Sequence, residues 1–341
     1  MRTSKKYIVT GLFLILLIIL LSCELMLGSV YIPAQNVFSV LTNNEHQNEV
    51  WNTIILQSRL PRALGAIIAG ASLSVSGLLM QVLFRNPLAS PYILGISSGA
   101  GLGVALITLG SVGIGFTFVP NGLSLVASAM LGALLVFSIV FFISLKVKDV
   151  MTLLIAGVLI GSIANAVVNI IQLHASALAV KTFVLWTLAS LDQLEMTDIK
   201  LLYIICPLTL IGSFLLSKQL NALLMGEKYA RSVGVNILLS RILIILFSGI
   251  LAASITAFCG PIGFIGIMVP HIVRIIFRTN HHKLLILFSV LIGSCTLLAA
   301  DLMAHYFITS VSLPINAITA LIGIPVILWL LLGKKDISKT I

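Results

Sequence analysis

The chain has 341 residues, of which 59% are hydrophobic and only 9% are charged, and its formal net charge is +10. A soluble domain carries roughly a quarter charged residues, so this composition excludes a water-soluble fold. The long apolar stretches predict an all-α integral membrane protein, because a membrane barrel would show alternating segments of about ten residues instead.

Hydropathy and turn residues predict about ten membrane-spanning helices in a single domain that occupies 1–341. The first apolar run extends from Tyr7 to Leu27, which is longer than the core of a signal peptide, and it is therefore predicted to be a retained helix. The predicted spans are 8–28, 60–81, 92–111, 121–144, 150–171, 198–217, 238–258, 262–277, 284–302 and 316–333.

The distribution of Lys and Arg predicts the orientation of these helices. With both termini in the cytoplasm, sixteen of the 20 basic residues fall on the cytoplasmic side and four fall on the outer side. This asymmetry follows the positive-inside rule. The positive charge is thus explained by topology, and nucleic acid is not an expected partner, whereas membrane lipid is.

Small residues recur at the spacing that allows close helix packing, from Gly95 through Gly99 to Gly103 and from Gly157 to Gly161. In addition, segments 60–111 and 238–277 both begin near an Arg and contain Gly-rich stretches, and the predicted topology inverts one relative to the other. These features predict a compact bundle and suggest an inverted repeat.

Arg59 and Arg62 flank Leu60 and Pro61 at the predicted outer end of the second span. Two guanidinium groups three residues apart offer a compact fork for carboxylates, which predicts docking of an acidic protein surface. The alternative is that both side chains simply reach the membrane interface.

Segment 218–237, between the sixth and seventh predicted helices, is the longest polar segment on the cytoplasmic side. Its pattern predicts one or two short amphipathic helices with breaks at Gly226 and Gly234. We expect this segment to bind a soluble partner; the alternative is a solvated loop.

The sequence contains no zinc-protease, hydrolase-elbow or Walker A motif, so we expect neither catalytic residues nor a metal site. The predicted spans contain few ionisable residues apart from Glu24 and Asp301 near their ends. An ion-coupled carrier usually places such residues at the middle of the membrane. This pattern disfavours an ion-coupled secondary transporter, which remains the alternative from a different class.

The remaining polar residues of the apolar segments have more than one interpretation. His271 is predicted to make a structural hydrogen bond, and His281 and His282 are predicted to be solvated. Asn165, Asn169 and Gln172 share one face of the fifth predicted span, where they would line a pathway or contact other helices.

Five motifs in order, spread over roughly residues 50 to 335, resemble the FecCD type of permeases for iron siderophores, haem and vitamin B12. They are Arg59-Leu60-Pro61-Arg62; Asn86-Pro87-Leu88-Ala89 with Leu94-Gly95-Ile96; Gly226-Glu227 with Ala230 to Val235; Gly260 to Gly266 with Val269 to Arg274; and Ala300-Asp301-Leu302 with Leu313-Pro314-Ile315.

The resemblance implies a homodimer of ten-helix subunits, similar to a vitamin B12 permease, in the bacterial inner membrane. Two ATPase subunits would lie below it and a substrate-binding protein above it. The resemblance also assigns roles to residues: Arg59, Arg62 and His305, which stands where many relatives have Arg, would dock the binding protein. Coupling to the ATPase would fall to Gly226, Glu227, Ala230, Arg231 and Gly234.

The expected function is therefore that of the permease subunit of an ABC importer for an iron chelate, either a siderophore or haem. Vitamin B12 is the alternative substrate within the same family. The permease itself needs no cofactor, because ATP would be bound by the partner subunit.

Overall fold

A computed structural model describes residues 3–28, 30–42, 49–109, 122–147, 149–306 and 313–333. These residues form helices joined by short loops. Five of the basic residues counted in the predicted charge asymmetry lie outside the described residues: Arg2, Lys148, Lys334, Lys335 and Lys339. The helices are α1 Thr3–Met26, α2 Ala34–Leu41, α3 Glu49–Thr53, α4 Leu60–Phe84, α5 Ile96–Thr108, α6 Gly122–Lys146, α7 Val150–Leu173, α8 Ala177–Thr187, α9 Met196–Leu215, α10 Ser217–Leu224, α11 Glu227–Ser232, α12 Ile237–Cys259, α13 Ile265–Phe277, α14 His282–Tyr306 and α15 Ile315–Gly333.

Seven helical segments in the described part of the chain are long and apolar enough to cross a membrane. One of them, Glu49–Phe84, is longer than predicted, because a π-helical turn at Ile54–Arg59 joins α3 to α4. Four other apolar helices are shorter, and they include α5 and α13, which fall within predicted spans. The all-helical membrane architecture is confirmed, whereas the count of ten spans and the position of the termini stay predictions.

Helix α4 forms the centre of the bundle and is buried along almost its whole length. It packs against α9, α12, α13 and α14. Two serines connect it to its neighbours: Ser74 Oγ donates to the Ser289 carbonyl at 2.7 Å, and Ser76 Oγ donates to the Ser248 carbonyl at 2.8 Å. Such bonds satisfy buried hydroxyl groups where no water is present.

The predicted glycine contacts are present between α5 and its neighbours. A Cβ atom on Gly99 would lie 2.6 Å from the Gly132 carbonyl oxygen of α6, and one on Gly157 of α7 would lie 2.8 Å from the Ile93 carbonyl oxygen. Side chains at these positions would force the helices apart. Gly95, with φ of 75°, ends the 3-10 turn Pro91–Leu94 and begins α5.

The two ends of the bundle differ in chemistry. One end, here called the arginine end, contains the start of α4, the loop between α8 and α9, and the last turn of α14. The opposite end, here called the α11 end, contains α10, α11 and the start of α14. Because α14 is unbroken over 25 residues, it connects the two ends.

Candidate functional sites at the two ends of the bundle

Arg62 lies at the centre of a group of ionisable side chains at the arginine end. Its Nε donates to Oε1 of Glu24 at 2.9 Å, Nη2 contacts the same oxygen, and Nη1 lies 3.4 Å from Oδ1 of Asp192. Its Nε is also 3.2 Å from Oδ2 of Asp301. Arg62 therefore joins α1, α14 and the α8–α9 loop to α4.

Arg59 is also buried, but its partners are backbone groups. Nη1 donates to the Leu25 carbonyl at 2.7 Å, and Nη2 donates to the Val30 carbonyl. Only 4% of Arg59 and 9% of Arg62 is exposed. Both guanidinium groups are therefore occupied within the chain, and the carboxylates that contact Arg62 come from its own chain. Docking of a partner protein at this end stays a prediction.

His305 completes this group from the last turn of α14. Its Nε2 lies 2.8 Å from Oδ1 of Asp192, and its Nδ1 lies 2.9 Å from the backbone carbonyl oxygen of Asp301. Burial alone would raise the pKa of Asp192, but the hydrogen bond and charge of His305, with the charge of Arg62, hold that pKa below its usual value. The structure thus pairs His305 within its own chain.

We call these six residues the arginine cluster: Glu24, Arg59, Arg62, Asp192, Asp301 and His305. Glu24 and Asp301, the two acidic residues noted near the ends of the predicted spans, are both fully buried. Their separate positions near span ends were visible in the sequence, but their proximity to Arg62 was not.

A cavity of about 330 Å³ adjoins the arginine cluster. Asp192 and His305 contribute polar groups to its wall, while Trp186 and Phe258 contribute aromatic surface. The α8–α9 loop is held against α12 at this cavity, because the Ser190 amide donates to the Cys259 carbonyl at 3.0 Å. A change in the contact between Asp192 and His305 would therefore alter the cavity wall.

The α11 end contains the predicted coupling segment. As expected, two short helices form, and they are separated at Gly226, which has φ of 109°. Gly234, with φ of 81°, follows α11. Ala230 is fully buried, whereas Arg231 is exposed.

Three apolar side chains of this segment are exposed. Met225, which precedes the break at Gly226, is 69% exposed, and Tyr229 and Val233 of the following helix and its end are 50% and 53% exposed. Glu227 fixes α11 to α12 through an ion pair with Arg241, in which Oε1 and Nη2 are 2.5 Å apart. The segment is therefore fixed to the bundle while these apolar side chains remain uncovered.

Asn221 connects α10 to α14 at the same end. Its Oδ1 accepts hydrogen bonds from the backbone amide of His282 at 2.9 Å and from Nδ1 of that ring at 2.8 Å. The prediction of a solvated His282 was wrong, since only 1% of this residue is exposed. The prediction for His271 is confirmed: its Nε2 lies 2.9 Å from the Pro87 carbonyl oxygen.

The three amide side chains predicted on one helix face all lie on α7. Asn165 and Asn169 are exposed and Gln172 is half-buried. No hydrogen bond joins any of them to another group within the described residues. No group of three His, Cys, Asp or Glu side chains among the described residues is placed to hold a metal ion.

Long apolar helices, with clusters of charged side chains at the two ends of the bundle, define an integral membrane protein. The family model for the FecCD transport family matches residues 14–333. The chain belongs to the FecCD transport family.

Two relatives are similar in sequence to this chain over almost their whole length. The haemin transport system permease protein HmuU of Yersinia pestis is 36% identical over 331 residues, which cover 96% of each chain. The vitamin B12 import system permease protein BtuC of Klebsiella pneumoniae is 34% identical over 335 residues, which cover 98% of this chain and 96% of the relative. Both relatives are permease proteins of transport systems.

Among solved structures, an inward-facing conformation of an ABC transporter assigned to the metal-chelate type matches with a TM-score of 0.81. It is 29% identical, and the match covers 96% of this chain and 99% of that one. The chain thus has the fold of an ABC transporter permease.

Proposed function

We propose that the chain is the membrane subunit of an ABC importer, and that it passes an iron chelate across a bacterial inner membrane along a pathway between two copies. A separate subunit would hydrolyse the ATP. The supporting observation is the row of uncovered amides on α7, formed by Asn165 and Asn169 with Gln172 half-buried beside them.

An amide exposed to lipid loses its hydrogen bonds to water, at a cost of several kcal/mol. These amides lie within the segment Val150–Leu173, which is long enough to span the membrane. We infer that their neighbours are water or protein rather than lipid. A second copy facing this side of α7 would enclose a polar passage, which is what a permease for large polar chelates requires.

The ATPase would bind at the α11 end. Exposed apolar side chains are an unfavourable surface in water, and Met225, Tyr229 and Val233 would be covered by a partner. This placement agrees with the predicted cytoplasmic location of the segment. The coupling residues would then be Gly226, Glu227, Ala230, Arg231 and Gly234, with Glu227 transmitting movement to α12 through Arg241.

The substrate-binding protein would dock at the arginine end, on the opposite side of the membrane. Arg59 and Arg62 are occupied within the chain, so His305 and Asp192 at the cavity are the members of the cluster closest to a docked protein. The predicted docking roles of the two arginines would require rearrangement of the α1 end.

Two substrate classes have comparable support. One relative is a haemin permease and the other a vitamin B12 permease, and their identities to this chain differ by only two percentage points. An iron chelate is our first candidate and vitamin B12 is the second. Both are large, and both suit a passage lined by neutral amides rather than by charge.

Reconstitution with an ABC ATPase and a substrate-binding protein from the same organism tests the proposal. Proteoliposomes should take up haem, a ferric siderophore or cobalamin only when ATP is supplied on the ATPase side. Replacement of Asn165 and Asn169 by Leu should lower uptake at least about tenfold while two copies remain associated. Uptake driven by an ion gradient without ATP would instead support a secondary transporter and overturn the proposal.

A further inference from the structure

Each ring nitrogen of His305 faces a hydrogen-bond acceptor. Nδ1 lies 2.9 Å from the Asp301 carbonyl oxygen, and Nε2 lies 2.8 Å from a carboxylate oxygen of Asp192. A carbonyl oxygen cannot donate, and an ionised carboxylate only accepts. Both contacts are therefore hydrogen bonds only when both ring nitrogens carry hydrogen, which makes the ring an imidazolium.

The buried carboxylates of the arginine cluster have unsatisfied oxygens. Asp301 is fully buried, and neither of its side-chain oxygens accepts a hydrogen bond within the described residues. These oxygens lie 3.2 Å from Nε of Arg62 and 3.4 Å from Nδ1 of His305. Oε2 of Glu24 is buried without a partner as well. Buried carboxylates require compensating positive charge nearby.

The two buried carboxylates of the arginine cluster, Glu24 and Asp301, are matched in number by its two guanidinium groups. The third carboxylate, Asp192, lies at the cavity with 39% of its side chain exposed. A proton on His305 would supply the positive charge that pairs with Asp192 at 2.8 Å.

We propose that the arginine cluster is a proton-binding site, and that its proton, held on His305, fastens the α8–α9 loop to α14. The charged groups that face the ring are Asp192 from the loop, Asp301 from its own helix and Arg62 from α4. When the proton leaves to water in the adjoining cavity, the ring retains hydrogen on one nitrogen and one of its two hydrogen bonds breaks.

Nitrogen-15 spectra of the full chain in lipid nanodiscs, labelled at histidine, test this proposal. Loss of a signal in His305→Gln identifies the ring. We expect doubly protonated His305 at pH 7, and we expect proton affinity to fall at least about tenfold in Asp192→Asn, since an opposite charge is removed. The matched control is Asp198→Asn, because Asp198 accepts from the Glu195 amide instead and should leave His305 unchanged. A neutral ring at pH 7, or equal affinity in Asp192→Asn, would overturn the proposal.

Hydrogen exchange measures separately whether the proton on His305 holds the α8–α9 loop against α14. Amides of 188–194 should exchange at least about threefold faster in His305→Gln than in the unmodified chain at pH 7, while those of α6 should not change. In the unmodified chain, the intrinsic-rate-corrected exchange of the loop should rise over the same pH range in which the ring titrates. Equal loop exchange in both proteins would show that the proton does not fasten the loop.

Discussion

Asn221 caps α14 from another helix, since its Oδ1 accepts the backbone amide of His282 at 2.9 Å. A free amide at a helix N-terminus usually finds its acceptor in a residue just before the helix. Here the acceptor comes from 61 positions earlier in the chain. The start of α14 is therefore stabilised by α10.

Replacement of Asn221 by Ala should destabilise the protein by about 2 kcal/mol, because a helix cap is lost and the buried Nδ1 of His282 loses its acceptor. Asn221→Asp keeps the acceptor oxygen and should retain most of the stability. Chemical unfolding in detergent micelles measures both. Equal losses in Ala and Asp variants would contradict a capping role.

Gly70→Ala should destabilise the bundle despite the better helix propensity of Ala, because the added Cβ would collide with the Gly293 carbonyl group of α14. We expect a loss of about 2 kcal/mol, typical of overpacking. Gly11→Ala is the control, since a Cβ on Gly11 meets nothing within 4 Å. Thermal unfolding of both purified variants tests the difference, and a stable Gly70→Ala protein would show that α4 and α14 can separate freely.

Arg62→Met should be among the most destabilising single changes in the chain. It leaves the carboxylates of Glu24 and Asp301 buried without their guanidinium partner, which costs about 3 to 5 kcal/mol in comparable buried pairs. Adding Glu24→Gln to Arg62→Met should recover part of this loss, because one uncompensated charge is removed. Unfolding of the single and double variants measures the recovery, and its absence would argue against coupling between these residues.

Asp149 provides a test of pH dependence outside the membrane. Hydrogen bonds from the Thr152 hydroxyl and the Thr152 amide lower the pKa of Asp149 below its usual value. Its stabilising contribution is therefore complete above the usual pKa near 3.8 and is lost as the pH falls through the lower value of the folded protein. Asp149→Asn should remove this part of the acid dependence. Unfolding temperatures from pH 6 down to pH 3 would test it, and parallel curves for the two proteins would contradict it.

Local features of this fold were predictable from the sequence. Gly226 and the short helices around it follow from composition over a few residues, and the glycine spacing on α5 and α7 indicated close packing. These signals are local because backbone freedom and side-chain size act at the position that carries them.

Contacts between residues far apart in the chain could not be predicted from the sequence. Glu24 and Arg62 are 38 positions apart, so the sequence could show two charged residues near span ends but not their pairing. His282 follows another His in a polar stretch, but it is buried and bound by Asn221, which lies 61 positions earlier in the chain. Hydropathy averages over neighbours along the chain, whereas burial depends on neighbours in space.

Helix α14 begins at the residue that Asn221 caps and ends at the residues that face Arg62. At about 1.5 Å per residue this unbroken helix extends roughly 37 Å. A tilt of α14 at its α10 end would displace His305 at the other end. If binding at either end tilts the helix, a protein that binds beside α11 and a proton that binds beside Asp192 would each change the affinity of the chain for the other.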